Sequence, residues 1–264
     1  MEDIYAEMMS VSREIANSFP PPRFYSCCSE WLELSRSLFS RDERVLACRA
    51  CVRHALRDNY GHGLSHVEKV AVEAGALAYM EARKILSVDS ARHEAGALAQ
   101  VAGLLHDLRR GEKDHARCGA AAAGKILRDF SFRDDHEKII VGAILNHEAF
   151  VEPAQIDSPL GQMVSDVLYD SDKFRWGPDN FTDTLWEMLR FSQGPLVRLI
   201  RRFPKGMKGI ARIKDTFRTE TGRTYGPEFI DLGLQIGEKI YLFMQERFAE
   251  ELKEKREGEA DSKG

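Results

Sequence analysis

Along most of the chain, apolar positions recur every three or four residues, the spacing that gathers them on one face of an α-helix. Tyr5 to Ser18 and Glu30 to Phe39 are short amphipathic stretches, parted by Phe19-Pro20-Pro21-Pro22, where proline removes backbone donors and fixes φ. Val45, Leu46, Val52, Ala55 and Leu56 mark one face of a helix over Asp42 to Asp58, which breaks at Asn59-Tyr60-Gly61-His62-Gly63. Val67, Val70, Ala71, Ala74, Leu77 and Ala78 then mark a helix to about Leu86, and Glu94 to Arg110 is small and apolar until it meets His106 and Asp107. Further helices fit Ala116 to Phe130, Asp134 to Asn146, Leu160 to Tyr169, Leu185 to Phe191 and Leu196 to Ile200. A long amphipathic helix fits Pro227 to about Leu252. Strand-like alternation and internal repeats are not visible, so the pattern predicts an all-α fold.

The same pattern divides the chain. Residues 1–42 read as an N-terminal helical addition, 193–252 as a C-terminal helical extension packed on the middle, and the polar stretch 253–264 as a frayed, disordered tail. Thr219 to Pro227 is rich in turn residues and reads as a connection ahead of the last helix, placed to cover a site.

Composition narrows the function. With 264 residues, 43% of them hydrophobic, the chain can bury a sizeable core without staples. A net charge of −4 supplies no general field for nucleic acid or acidic membrane, so small-molecule work is the default. No apolar run is long enough to span a bilayer, and the acidic start MEDIYAEMMS is unlike a signal peptide, so a cytoplasmic location and no membrane partner are expected. Five cysteines, an odd number, suggest reduced thiols; Cys48-Arg-Ala-Cys51 alone is a weak zinc signal beside a reading as small buried residues. Arg198 to Arg223 is locally basic and reads mainly as a solvated face, although such a patch suits a polyphosphate better than nucleic acid.

The chemistry concentrates at His106-Asp107. Adjacent residues cannot share one helix face, yet both could grip one ion if the helix ended there. Metal sites in helical proteins draw ligands from several helices, and His66, His115, His147 and Asp172 fall at or near the ends of other predicted helices. Imidazole and carboxylate donors suit a divalent transition metal, Mn, Fe, Co, Ni or Zn, with Mg as a further choice. His54, His93 and His136 have no matching partners and read as surface residues.

Three separated segments carry a resemblance: Gly61-His62-Gly63-Leu64-Ser65-His66-Val67, Leu104-Leu105-His106-Asp107-Leu108 and Asp170-Ser171-Asp172-Lys173. In that order they resemble the HD superfamily of metal-dependent phosphohydrolases, over roughly residues 43–192. The resemblance implies an HD-domain helical bundle over that span and a divalent ion held by His66, His106, Asp107 and Asp172. His115 and His147 look like the two further histidines of members that hold two ions, in which Asp107 would bridge them. With a single ion, His115 and His147 would instead lie outside the metal shell or bind phosphate, so one ion and two both stay open.

The implied reaction is cleavage of a small, nucleotide-like phosphate ester by a metal-activated water. His62 reads either as a pocket residue that donates a hydrogen bond to phosphate or as a structural turn histidine, and Arg109, Arg110, Lys113 and Lys173, beside the ligands, either as cations for the same charge or as solvated helix ends. Some HD nucleotide hydrolases place an acid just after the HD pair, where this chain has Arg109 and Arg110; Glu112, Asp114 or Glu148 would have to fill that role. No GYP motif follows His147, so cyclic dinucleotides are not the expected substrate. Two rival readings are a di-iron oxygenase on the same ligands and a non-catalytic nucleotide sensor. Oligomeric state, including a homo-oligomer, stays open.

Overall fold

The structure is a computed structural model that describes residues 2–56, 63–130 and 132–253. The described residues are helical with no strand among them. In chain order the helices are α1 (Glu2–Asn17), α2 (Phe24–Cys27), α3 (Ser29–Phe39), α4 (Glu43–Ala55), α5 (Leu64–Ile85) and α6 (Asp89–Leu105), then α7 (His115–Asp129), α8 (Asp134–Leu145) and α9 (Pro159–Phe174). After these come α10 (Leu185–Ser192), α11 (Leu196–Ala211) and α12 (Glu220–Arg247). Short polar side chains start several of them. Asp42 accepts from the amides of Arg44 and Val45 at the head of α4, and Ser158 accepts from Gly161 N ahead of Pro159, whose missing N–H costs nothing in a first turn.

The centre is the α5–α6 pair, with α9 against both, α3 against α5, and α8 bridging α6 and α9. Its interface is built from small residues, which lets two backbones approach closely. A Cβ placed on Gly103 of α6 would meet Ala71 Cα of α5 at 2.7 Å. Buried polar groups beside this pair bond to one another: the Gln100 amide nitrogen donates to the Ser35 carbonyl at 2.7 Å, and the Ser35 hydroxyl donates to the Val72 carbonyl at 2.6 Å.

The terminal segments meet each other. Helix α1 packs on α10 and α12, and the Tyr5 hydroxyl donates to the Gly194 carbonyl at 2.8 Å. Helix α12 begins at Glu220, well before Pro227, so Thr219 to Pro227 is not the covering connection that its turn residues suggest. The cause is tertiary. The buried Asp170 carboxylate on α9 accepts from the amides of Arg218 and Thr219, each at 2.8 Å, while Glu81 on α5 accepts from Thr221. These acceptors satisfy the orphan N–H groups of a helix start that local sequence alone leaves open. Burial pushes the Asp170 carboxyl up to about 6 against those donors.

Three further sequence expectations change. Helix α9 runs beyond Tyr169 to Phe174, which places Asp172 on the helix itself. Helix α11 continues beyond Ile200 through Pro204 to Ala211. His136 is buried rather than superficial, its Nδ1 3.1 Å from Glu94 Oε1, because α8 lies across α6. His54 and His93 are exposed, as expected. Lys253, the first residue assigned to the frayed tail, is helical; 254–264 and His62 lie outside the described residues. No helix among the described residues is long and apolar enough to cross a membrane.

Gly103→Ala should lower stability by about 1–3 kcal/mol, because backbone must move to admit the methyl group. Gly206→Ala, where nothing lies within 4 Å of the new atom, should be neutral or stabilising. Urea midpoints of both variants check this contrast.

Candidate metal centre

Helix α6 delivers its fully buried run Leu98 to Leu105 into the middle of the bundle and then ends, and His106 follows as its C-cap with helical backbone angles. Because the helix stops there, Asp107 turns into the same space as its neighbour. The His106 Nδ1 lies 2.8 Å from the Gly103 carbonyl, and the His147 Nδ1 lies 2.6 Å from the Ile144 carbonyl. A carbonyl only accepts, so both Nδ1 atoms carry protons and both rings are fixed with Nε2 as the inward nitrogen.

Four donors from α5, the end of α6 and α9 converge. His66 Nε2 is 3.4 Å from His106 Nε2 and 3.6 Å from Asp107 Oδ2. Asp172 Oδ1 is 3.6 Å from His66 Nε2 and 3.7 Å from His106 Nε2. Such separations match donors spaced around one ion with bonds of about 2.0–2.2 Å. The other Asp107 oxygen, Oδ1, faces His147 Nε2 at 3.7 Å, and Asp107, His115 and His147 form a second group whose ligand atoms all lie within 4.8 Å of one another. Asp107 therefore belongs to both groups. The His147 Nε2 is buried and has no hydrogen-bond partner, the state expected of a nitrogen aimed at a cation.

Electrostatics fit the same reading. Burial opposes charge on His106, but Asp107 and Asp172 outweigh it and push this imidazole up to about 10, so without metal a proton stands in for the cation. Burial also opposes charge on Asp172; Lys173 and the two histidines overcome it and hold the carboxyl well below its ordinary range. On the other side, burial and the Arg110 guanidinium push His115 down to about 4, leaving a neutral ring whose Nε2 accepts from Arg110 at 2.9 Å.

The centre opens into a cavity of about 220 Å³ lined by Asp107, Arg110, His115, His147, Asp172 and Lys173, and by Glu148, Ala149, Phe150 and Trp176. All six residues expected as metal ligands are thus brought together. Lys173 is buried, donating to Asp172 and, at 2.9 Å, to the His147 carbonyl. Arg109 and Lys113 are exposed and stand outside the cavity lining; Arg109 pairs instead with Glu112 at 3.3 Å. Asp114 pairs with Arg117 at 3.4 Å, which leaves Glu148 as the acid of the three candidates that lines the cavity.

Sequence reasoning overlooked a buried brace behind the ligands. The Arg175 guanidinium donates to both oxygens of Glu73 at 2.7 Å and to Tyr25 at 2.9 Å, and it also pairs with Asp179. Glu73 sits two turns along α5 from His66, and Arg175 follows Asp172 by three residues, so the pair locks together the two elements that present those ligands. Charged residues inside otherwise apolar helices were the available signal.

Comparison with protein-family models, with curated proteins and with solved structures finds no match for this chain. What stands is an all-helical protein with a buried His/Asp cluster able to hold metal.

Loading a divalent ion should displace the His106 proton. Between pH 7 and 9, calorimetry in buffers of different ionisation enthalpy should read about one proton released from that ring, with affinity rising about tenfold per pH unit. Since this imidazole is raised above its unfolded value of 6.5, its stabilisation of the metal-free protein is complete below that pH and lost as pH climbs through about 10. Buffer-independent binding heats would contradict the assignment.

Proposed function

We propose that this chain is a metal-dependent phosphohydrolase of the HD type, with residues 43–192 as its HD domain, acting on a small, nucleotide-like phosphate ester. The observation that carries the reading is Asp107, whose two oxygens face two different histidine sets at the floor of a cavity that also presents Arg110. Divalent ions held by His66, His106, Asp107 and Asp172 on one side and Asp107, His115 and His147 on the other would polarise a phosphoryl oxygen and lower the pKa of water from about 15.7 toward about 7.

The chain's own groups have separable tasks. Arg110 faces the cavity, where its N–H donors suit the oxygens of a phosphoryl group and the charge that builds there during cleavage; an ion held by His115 would free the donor that now reaches this ring. Lys173 supplies fixed positive charge and ties Asp172 to the end of α8. Glu148 takes the acid–base role, receiving the proton of the attacking water or returning one to the leaving oxygen. The buried walls keep the floor of the site at low dielectric, which strengthens each of these interactions.

A panel of phosphate esters incubated with the Mn²⁺-loaded protein under anaerobic conditions tests this. Phosphate release is expected from the wild type and none from Asp107→Ala, which should also lose bound metal. Glu148→Gln should keep its metal and lose about 10²- to 10⁴-fold in kcat. Full metal content and activity in Asp107→Ala would overturn the reading. Iron-dependent oxygen uptake without phosphate release would favour the oxygenase, and tight nucleotide binding without turnover the sensor.

A further inference from the structure

The cavity has a mouth as well as a floor, and the mouth is built. Phe150 lines it with a half-exposed ring, 51% accessible, on a backbone at φ 63. A bulky residue other than glycine in left-handed backbone is costly and is kept where the surroundings enforce it. Here they do. Asn146 clamps Ala154 through two 2.8 Å hydrogen bonds, one in each direction, and closes the intervening loop with Phe150 near its tip.

Arg212 completes the mouth. Its guanidinium carbon stands 4.4 Å above the centre of the Phe150 ring, within cation–π range. Its backbone is held from behind: the next residue, Ile213, is fully buried in the core, and Lys214 pairs with Asp231 at 2.7 Å. Its side chain is exposed, and among the described residues no carboxylate pairs with it. The basic segment that reads in sequence as a solvated face thus sets one arginine against Phe150, a residue that lines the cavity.

We propose that the Phe150–Arg212 lip is a second anion subsite, which selects substrates carrying a further anionic group beyond the phosphoryl group held near Asp107. This rests on the phosphohydrolase reading above. A volume of about 220 Å³ is below the roughly 300–1,000 Å³ of pockets that enclose drug-sized ligands. A phosphoryl group and its ester oxygen fill the floor, and the rest of the substrate must emerge past Phe150. There it meets a planar fork of N–H donors, held against the Phe150 ring, whose geometry matches two oxygens of a phosphate or carboxylate.

The test uses non-hydrolysable probes on the full-length, Mn²⁺-loaded protein: pentylphosphonate, pentane-1,5-diphosphonate and 6-phosphonohexanoate, titrated by calorimetry. In the wild type the second anion should tighten binding by roughly 10- to 100-fold over pentylphosphonate, the range of a charge-assisted hydrogen-bonded pair. Arg212→Gln should erase that difference, bringing the probes to one affinity, and Phe150→Leu should reduce it by releasing the guanidinium from its stack. Whichever anion gains more identifies the group. An equal gain in wild type and Arg212→Gln, or no gain in the wild type, overturns the subsite while leaving pentylphosphonate binding intact. Failure of all three probes to bind the wild type overturns the phosphohydrolase reading and the subsite together.

Discussion

A single carboxylate, buried almost completely and facing imidazoles on both sides, is the constraint on which the rest of the structure depends. Asp107 turns Oδ2 toward His66 and His106 and Oδ1 toward His147. Taking such an anion out of water costs several kcal/mol unless positive charge accompanies it. The protonated His106 imidazole, 3.4 Å from Asp107, supplies such charge, and a bound metal ion would supply it in turn. The termination of α6 at Leu105 follows from the same demand. Had the helix continued, His106 and Asp107 would diverge by about 100° around its axis and could not meet at one point.

Rigidity is the second requirement, and the fold meets it with small residues and buried polar bonds. Gly103 lets α6 lie directly on Ala71 of α5, and its carbonyl then fixes the His106 ring. The Glu73–Arg175–Tyr25 brace joins α5 to the end of α9 and thereby sets the spacing of His66 and Asp172. Arg175 and Glu73 are both buried and neutralise each other, so removing Arg175 would strand the Glu73 carboxylate, whereas removing Glu73 would leave Arg175 to Asp179. That scaffold sets the donor atoms 3.4–3.7 Å apart.

Much of this was legible in the sequence, and the parts that were not share a cause. Periodicity located the helices because burial of one face dictates it. It ended α9 at Tyr169 and began α12 at Pro227, too early and too late, because both boundaries depend on Asp170 meeting Thr219 across the fold. The six candidate ligands were legible from the order of His66, His106-Asp107 and Asp172 along the chain and from the HD resemblance, which added His115 and His147. Arg109 and Lys113 were chosen by adjacency along the chain, but the turn after Asp107 carries them to the exterior, whereas Arg110 returns to His115. Phe150 and Trp176 carried no sequence signal, since neither breaks a pattern, and only the loop closure and the end of α9 bring them to the cavity.

The central claim, that Asp107 joins two metal positions, is tested most directly by metal stoichiometry. Protein saturated with Mn²⁺, freed of excess and analysed by mass spectrometry of the metal should carry two equivalents per chain, falling to one in His147→Ala with the remaining ion retained. A saturated wild type holding a single ion, unchanged by loss of His147, would contradict the shared carboxylate and leave His115 and His147 outside the metal shell.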